Sequence, residues 1–316
     1  MEYRKLGKSG VKVSEVALGG WLTHGRSIDD NTTAEIVQKA FELGINFFDT
    51  ADVYNLGEAE KALAKAIKPL RREDLFIATK CYWPMSEAVN DRGLCRKHIV
   101  ESVHNSLKRL EIDTIDLMQF HRFDPETPME EMIRAVDDLI RQGKIHYWGV
   151  SCWTAAQITD ACHVARAWNC CLPVSNQPPY NMLNREIEVD VISTSERLGL
   201  GQVVFSPLAQ GVLTGKYRPG QPMPEGSRGA DPKSNTFMER HLKEDVLKKV
   251  VEIEAVAKEN GLSVGQFALA WCLRQANLSA VIVGATSIAQ LEENIGAVGR
   301  KFDASVWEKV DGILSR

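Results

Sequence analysis

Asp49, Tyr54, Lys80 and His121 stand at or just past the ends of short apolar runs. Asp49 closes INFFD, Tyr54 comes five residues later, Lys80 closes LFIATK and His121 closes IDLMQFH. Together these types suit proton transfer to oxygen. A phenol with an ordinary pKa near 10 donates poorly at neutral pH, but an ammonium beside it stabilises the phenolate and lowers that pKa. Lys80 is the expected ammonium and Asp49 the carboxylate that fixes it and keeps it charged. His121 is placed to hydrogen-bond an oxygen lying between itself and Tyr54. The set fits carbonyl reduction, in which negative charge grows on oxygen as hydride reaches carbon, and so it requires a hydride source. Taken singly, each residue has a plain structural reading: a turn aspartate, a loop aromatic, a strand-end lysine, a core histidine. Their recurrence at the same end of three successive runs favours one shared site.

The elements that must position them follow a single alternation. Apolar runs rich in Val, Ile and Phe occupy Val16–Gly20, Asn46–Thr50, Leu75–Lys80, Ile115–His121, Tyr147–Ser151, Val174–Gln177, Gln202–Pro207 and Ala280–Gly284. Helical patterns lie between them at Asn31–Leu43, Glu58–Ile67, Arg96–Leu110, Pro128–Gln142, Thr154–Trp168 and Glu186–Leu198, with a pair at Leu242–Asn260 and Ser263–Gln275. Thr127-Pro128 and Ser263 mark helix starts, and Gly44, Gly143, Gly199 and Gly261 mark stops. Repeated strand–helix alternation means a parallel sheet with helical crossovers, here a closed (β/α)8 TIM barrel of class α/β over residues 1–316 as one domain. An open doubly wound sheet is the rival, but no GxGxxG follows any of the runs. A turn at Lys8-Ser9-Gly10 predicts a short N-terminal β-hairpin over one barrel mouth, and the chain beyond Gly284 leaves room for extra C-terminal helices. The loop Tyr217–Asn235 is long and rich in Gly and Pro, as a ligand-covering lid would be.

Composition narrows the partner. With 38 Lys+Arg against 42 Asp+Glu and no block of like charge, general electrostatic binding to nucleic acid or an anionic membrane is not expected. A small molecule is the default partner. The start MEYRKLGKSG has no signal-peptide core and no apolar run is long enough to cross a bilayer, so a cytoplasmic chain is expected. Seven scattered cysteines, an odd number, read as buried thiols in a reducing compartment, and the vicinal Cys170-Cys171 as structural. No CxxC or HExxH spacing occurs, and no metal is expected.

The stretch GINFFDTADVYNLGEAE at Gly44–Glu60, IATK ending at Lys80 and DLMQFH ending at His121 resemble the aldo-keto reductases, and the similarity runs along essentially the whole chain. Within that family TKCYW, SPLAQGVLTGKY and GATSIAQLEENIGA are most similar to the branch containing voltage-gated potassium channel β subunits and their bacterial relatives. The resemblance implies that Asp49, Tyr54, Lys80 and His121 form a catalytic tetrad on a (β/α)8 barrel that binds an extended nicotinamide nucleotide. Channel β subunits typically carry Asn at the position of His121, so the complete tetrad favours a working reductase over a redox-sensing regulatory subunit of slow turnover. Channel-branch relatives form tetramers and many other reductases are monomers, which leaves the assembly open. A carboxylate hydrolase on the same fold would need two facing acids, and only Asp49 is well placed.

The same resemblance carries over cofactor positions. Ser151 and Gln177 match contacts to the nicotinamide carboxamide, although Cys152 stands where other members have Asn or Arg, and Phe205 matches a ring that stacks on the nicotinamide. Ser206, Pro207, Leu208, Ala209 and Gly211 match a strap along the pyrophosphate, with Lys216 and Arg228 as cations for phosphate charge. Gly284, Thr286, Gln290, Glu293 and Asn294 match the adenosine side; many members carry Lys and Arg where this chain has Ala285 and Gln290. Trp21 and Asp49 are counted with the cofactor contacts as well. NADPH is the expected cofactor, with NADH admissible. Trp21, Tyr54, Trp83, His121, Phe123 and Trp153 are expected to line a substrate mouth suited to an apolar or aromatic aldehyde or ketone, while Trp148 and Trp271 are assigned to packing.

Overall fold

An all-parallel sheet survives only when helices cover its outer face, and its strands then read as continuous apolar runs. That is what the chain does in the computed structural model, which describes residues 1–21, 28–231, 235, 238 and 241–316. Two short strands, β1 (Tyr3–Lys5) and β2 (Lys12–Ser14), pair antiparallel. The barrel strands follow as β3 (Val16–Gly19), β4 (Phe47–Asp49), β5 (Phe76–Cys81), β6 (Ile115–Phe120), β7 (Ile145–Val150), β8 (Ser175–Asn176), β9 (Gly201–Val204) and β10 (Leu278–Val283). Each is parallel to its neighbours, and β10 pairs with both β9 and β3, which closes the barrel and removes the open-sheet alternative. The helices are α1 (Asp30–Glu42), α2 (Glu58–Ile67), α3 (Arg96–Leu110), α4 (Met129–Arg141), α5 (Ala155–Ala167), α6 (Val191–Leu198), α7 (Glu244–Glu259) and α8 (Val264–Leu273), with α9 (Ile288–Ile295) and α10 (Ala304–Leu314) as the extra C-terminal pair.

Alternate residues of each strand face in and out, so the barrel has two cores. Val16, Leu18, Ile77, Met118, Trp148 and Val281 point out against the helices; Ala17, Phe47, Phe76, Ala78, Leu117, Val203 and Ala280 fill the lumen. Leu6 and Val13 of the hairpin join the lumen cluster and close the mouth at the N-terminal strand ends. Arg4 anchors the hairpin there by donating to the carbonyls of Leu273, Gln275 and Leu278 and pairing with Glu15.

Several boundaries differ from those expected of the sequence. The hairpin loop is wider than a turn at Lys8-Ser9-Gly10, since the Leu6 N–H donates to the Val11 carbonyl at 3.1 Å and the strands stop at Lys5 and Lys12. The expected helix Glu186–Leu198 is a short 3-10 turn over Glu186–Glu188 and then α6, broken where Asp190 adopts a non-helical φ of −149°. Tyr180 explains the break: its hydroxyl donates to Glu188, and Arg185 binds both Glu188 and Asp311, so this segment is pinned by tertiary contacts before α6 begins. Residues 232–234 of the expected lid lie outside the described residues; before them, Tyr217 is buried and its hydroxyl accepts the Gly229 N–H. Trp148 and Trp271 are buried packing residues, and no described helix is long and apolar enough to cross a membrane; all seven cysteines are free, but only Cys81, Cys162 and Cys272 are buried, and Cys171, expected to be buried, is exposed.

Candidate active site

Parallel strands deliver all their C-terminal ends to one mouth, and the inward residues there are polar. Asp49 ends β4, Lys80 lies one residue before the end of β5 and His121 follows β6, each in inward register with the lumen residues before it. Lys80 Nζ is fully enclosed and donates to Asp49 Oδ1 at 2.6 Å, to the Thr50 carbonyl at 2.8 Å and to Tyr54 Oη at 3.3 Å. The Tyr54 ring lies edge-on to His121 with centroids 5.8 Å apart. All four residues singled out in the sequence therefore share one cleft.

Their protonation follows from burial and charge. Burial alone would push Lys80 down, but Asp49 and Tyr54 more than offset it and the ammonium is held above its ordinary value. Burial, with the Lys80 and Arg122 cations, holds His121 well below its ordinary value, so the imidazole is neutral. Tyr54 departs from the expectation of a lowered pKa. Burial pushes the phenol up more than Lys80 pulls it down, so the net shift is upward rather than toward an easily formed phenolate. The physical role of Lys80 survives as the opposing influence, which gains weight only as negative charge reaches the Tyr54 oxygen.

Several participants were not singled out in the sequence. The Asp49 carboxylate accepts at Oδ2 from Gln119 Nε2 at 3.4 Å, as well as from Nε2 of the already expected Gln177 at 2.8 Å, so two amides besides Lys80 orient it. The inward period of two after Leu117 was the available signal for Gln119. Arg122, immediately after His121, lies over the Trp83 ring, 5.7 Å from its centroid. Behind Tyr54, Asn55 and Leu56 take left-handed backbone with φ of 49° each and Gly57 follows at 91°. Gly57 is required twice over, because a Cβ there would meet Arg109 Cδ at 2.6 Å. Arg109 in turn pairs with the buried Glu60, whose other oxygen accepts from Thr79, and Asp52 accepts from Ser102 at 2.8 Å. This buried network holds the segment that carries Tyr54.

The aromatic residues divide. Trp83 is partly exposed and lies 6.3 Å from the His121 ring, whereas Trp153 is buried and its ring packs on Phe120 and edge-on to Phe123. Trp21 follows Gly20, whose N–H donates to the Asp49 carbonyl at 2.9 Å.

The other side of the mouth fits a phosphate-bearing nucleotide. Phe205 packs against the lumen cluster, Ser151 donates to the Gln177 carbonyl at 2.8 Å, and Gln177 in turn donates to Asp49. Past Phe205, Ser206, Ala209 and Gln210 all take positive φ, with Pro207 and Leu208 between. Such non-glycine backbone costs about 1–3 kcal/mol per residue and persists only where its surroundings enforce it. Here Asn181 donates to the Ser206 carbonyl, Gln210 to the Ser206 hydroxyl and Arg228 to Gln210. Burial holds the Arg228 guanidinium below its ordinary range. The Lys216 ammonium lies beside Gly211, 3.5 Å from where a Cβ would stand. Gly284, Thr286 and Gln290 are exposed beyond β10, and Thr286 is tied to the Gln290 side chain. Asn294 is buried and Glu293 is engaged by Ser263 and Gln266 at the start of α8, so Glu293 is committed to that helix cap as the structure stands.

Known proteins match this chain along its length. The model of the aldo/keto reductase family covers residues 15–315. An Arabidopsis thaliana protein named "Probable voltage-gated potassium channel subunit beta" is 43% identical over 301 residues, spanning 94% of this chain and 91% of that protein. A protein of the same name from Oryza sativa subsp. japonica is 42% identical over 301 residues, with the same 94% and 91% coverage.

Proposed function

Because the chain belongs to the aldo/keto reductase family, a family of oxidoreductases, we propose that it reduces aldehydes or ketones to alcohols with NADPH, using Tyr54 as the general acid. The observation that carries this reading is Lys80 Nζ bridging Asp49 Oδ1 at 2.6 Å and Tyr54 Oη at 3.3 Å inside the barrel mouth. A bound reduced nicotinamide, ringed by Ser151, Gln177 and Phe205 with its phosphates toward Ser206–Gly211, Lys216 and Arg228, would supply the hydride. The chain's own residues do the rest. Neutral His121 holds the carbonyl oxygen without competing for the proton. Tyr54 gives its proton to that oxygen as the carbon–hydrogen bond forms, and Lys80 stabilises the phenolate left behind until solvent reprotonates it. Asp49, itself fixed by Gln119 and Gln177, keeps Lys80 in place and charged.

Tyr54→Phe tests the assignment. NADPH oxidation with a panel of aldehydes should fall by about 10²–10⁴-fold, the range of general acid catalysis, while NADPH fluorescence titration stays near wild type. Undiminished turnover in Tyr54→Phe would remove Tyr54 from the chemistry. The names of the plant relatives favour a second reading, a nucleotide-binding regulatory subunit. It predicts a single turnover per bound NADPH in place of a sustained rate, so the same assay separates the two.

A further inference from the structure

Among the described residues, the substrate side of the cleft holds a charge that the tetrad does not use. Asp49 and Lys80 neutralise one another at 2.6 Å, and His121 is neutral. Arg122 remains. It is half-buried, and among the described residues no carboxylate pairs with it; its contacts are its own neighbour's carbonyl, His121 O at 2.5 Å from Nη1, and the Trp83 ring at 5.7 Å. A guanidinium carries five N–H donors in a planar fork, and here the group lies over the indole at cation–π distance while Nη1 meets the His121 carbonyl. The Trp83 ring links Arg122 to the reacting residues. Trp83 is 6.3 Å from His121, His121 is 5.8 Å from Tyr54, and Arg122 is among the charges that act on both Tyr54 and His121.

We propose that Arg122 anchors an anionic group of the substrate, a carboxylate or a phosphate ester, so that the preferred carbonyl compounds are negatively charged. This rests on the reductase reading and specifies its substrate class. The carbonyl lies between Tyr54 and His121, a planar or aromatic spacer runs along Trp83, and the anion meets the Arg122 guanidinium. Planar bidentate recognition of this kind favours Arg over Lys.

The test compares three aldehydes of one shape with wild type, Arg122→Gln and Arg122→Lys: 4-carboxybenzaldehyde, 4-formylphenyl phosphate and the neutral methyl 4-formylbenzoate. In wild type, kcat/KM for one or both anionic aldehydes should exceed that for the ester by about tenfold or more, carried mainly by KM. Whichever anion gains identifies the group. In Arg122→Gln the anionic-to-neutral ratio should collapse toward one, with Arg122→Lys between. A ratio near one in wild type, or one that Arg122→Gln leaves unchanged, would overturn the proposal, because a merely structural arginine lowers all three substrates alike. Calorimetric titration with benzoate and phenyl phosphate needs no turnover. If wild type reduces no carbonyl compound, the reductase reading fails; loss of anion binding in Arg122→Gln then still supports the anion site, and unchanged or absent binding overturns it.

Discussion

At the N-terminal mouth of the barrel, Phe47 and Phe76 meet edge-to-face at 5.2 Å with Leu6 and Val13 of the hairpin packed beneath them. Two residues along β4 from Phe47 and four along β5 from Phe76, the same inward faces present Asp49 and Lys80. Strand periodicity alone gives both mouths their inward positions, so the contrast lies wholly in which residues occupy them. The lower mouth stabilises: a fully buried large apolar side chain contributes about 1.5–3 kcal/mol. The upper mouth does not stabilise comparably, since the desolvation of a buried ion pair roughly cancels its attraction. One end of the barrel can carry a costly charged site because the other end is dry and plugged.

Exchanging charge for hydrocarbon at the upper mouth is the most severe test of that contrast. Lys80→Met leaves the Asp49 carboxylate buried with only amide donors from Gln119 and Gln177 and removes the cation facing Tyr54. Turnover of any accepted aldehyde should fall by at least about 10³-fold, measured by NADPH oxidation at saturating substrate. A loss smaller than tenfold would mean that the ammonium does not serve the chemistry. The converse change is Phe76→Ala at the lower mouth. It should destabilise by about 3–5 kcal/mol through cavity formation, read as a lowered urea midpoint. The kcat of the folded fraction should change by less than about threefold, because the cavity lies beyond the reach of the reacting groups. A large kcat loss would show that the two mouths are coupled.

Much of this arrangement is legible in the order of residues alone. The apolar runs locate the barrel strands because a strand buried on both faces must be apolar throughout, and the tetrad stands out because charged residues break those runs at a common end. Other features depend on segments distant in sequence. The break before α6 follows from Tyr180 and Arg185 binding Glu188, which no local propensity records. Glu293 is drawn to Ser263 on another helix, and the upward shift of Tyr54 depends on how completely its neighbours exclude water. Asp52 is the clearest case. It stands three residues after Asp49 and two before Tyr54 in the same stretch of sequence, yet Asp49 faces Lys80 whereas Asp52 turns outward to Ser102 of α3.

That outward carboxylate places a further stability cost of the upper mouth outside the barrel. Burial, and then the neighbouring Glu60 carboxylate of α2, push Asp52 up to about 7 from an ordinary 3.8. Ser102, the Val53 N–H and Arg109 of α3 pull against that shift without cancelling it. The native state therefore retains a proton that the unfolded chain has released between about pH 4 and pH 7. With more protons bound in the folded form, stability falls as pH rises through that window and levels off above about 7. Asp52→Asn removes the titration. The full difference corresponds to about 4 kcal/mol, but the amide must place an NH2 group where a carboxylate accepted bonds, so a gain of about 1–2 kcal/mol is expected. Urea unfolding should find the variant more stable than wild type at pH 8, with the advantage shrinking steadily toward pH 4. An advantage that is constant across pH would place its origin in packing and not in the proton on Asp52.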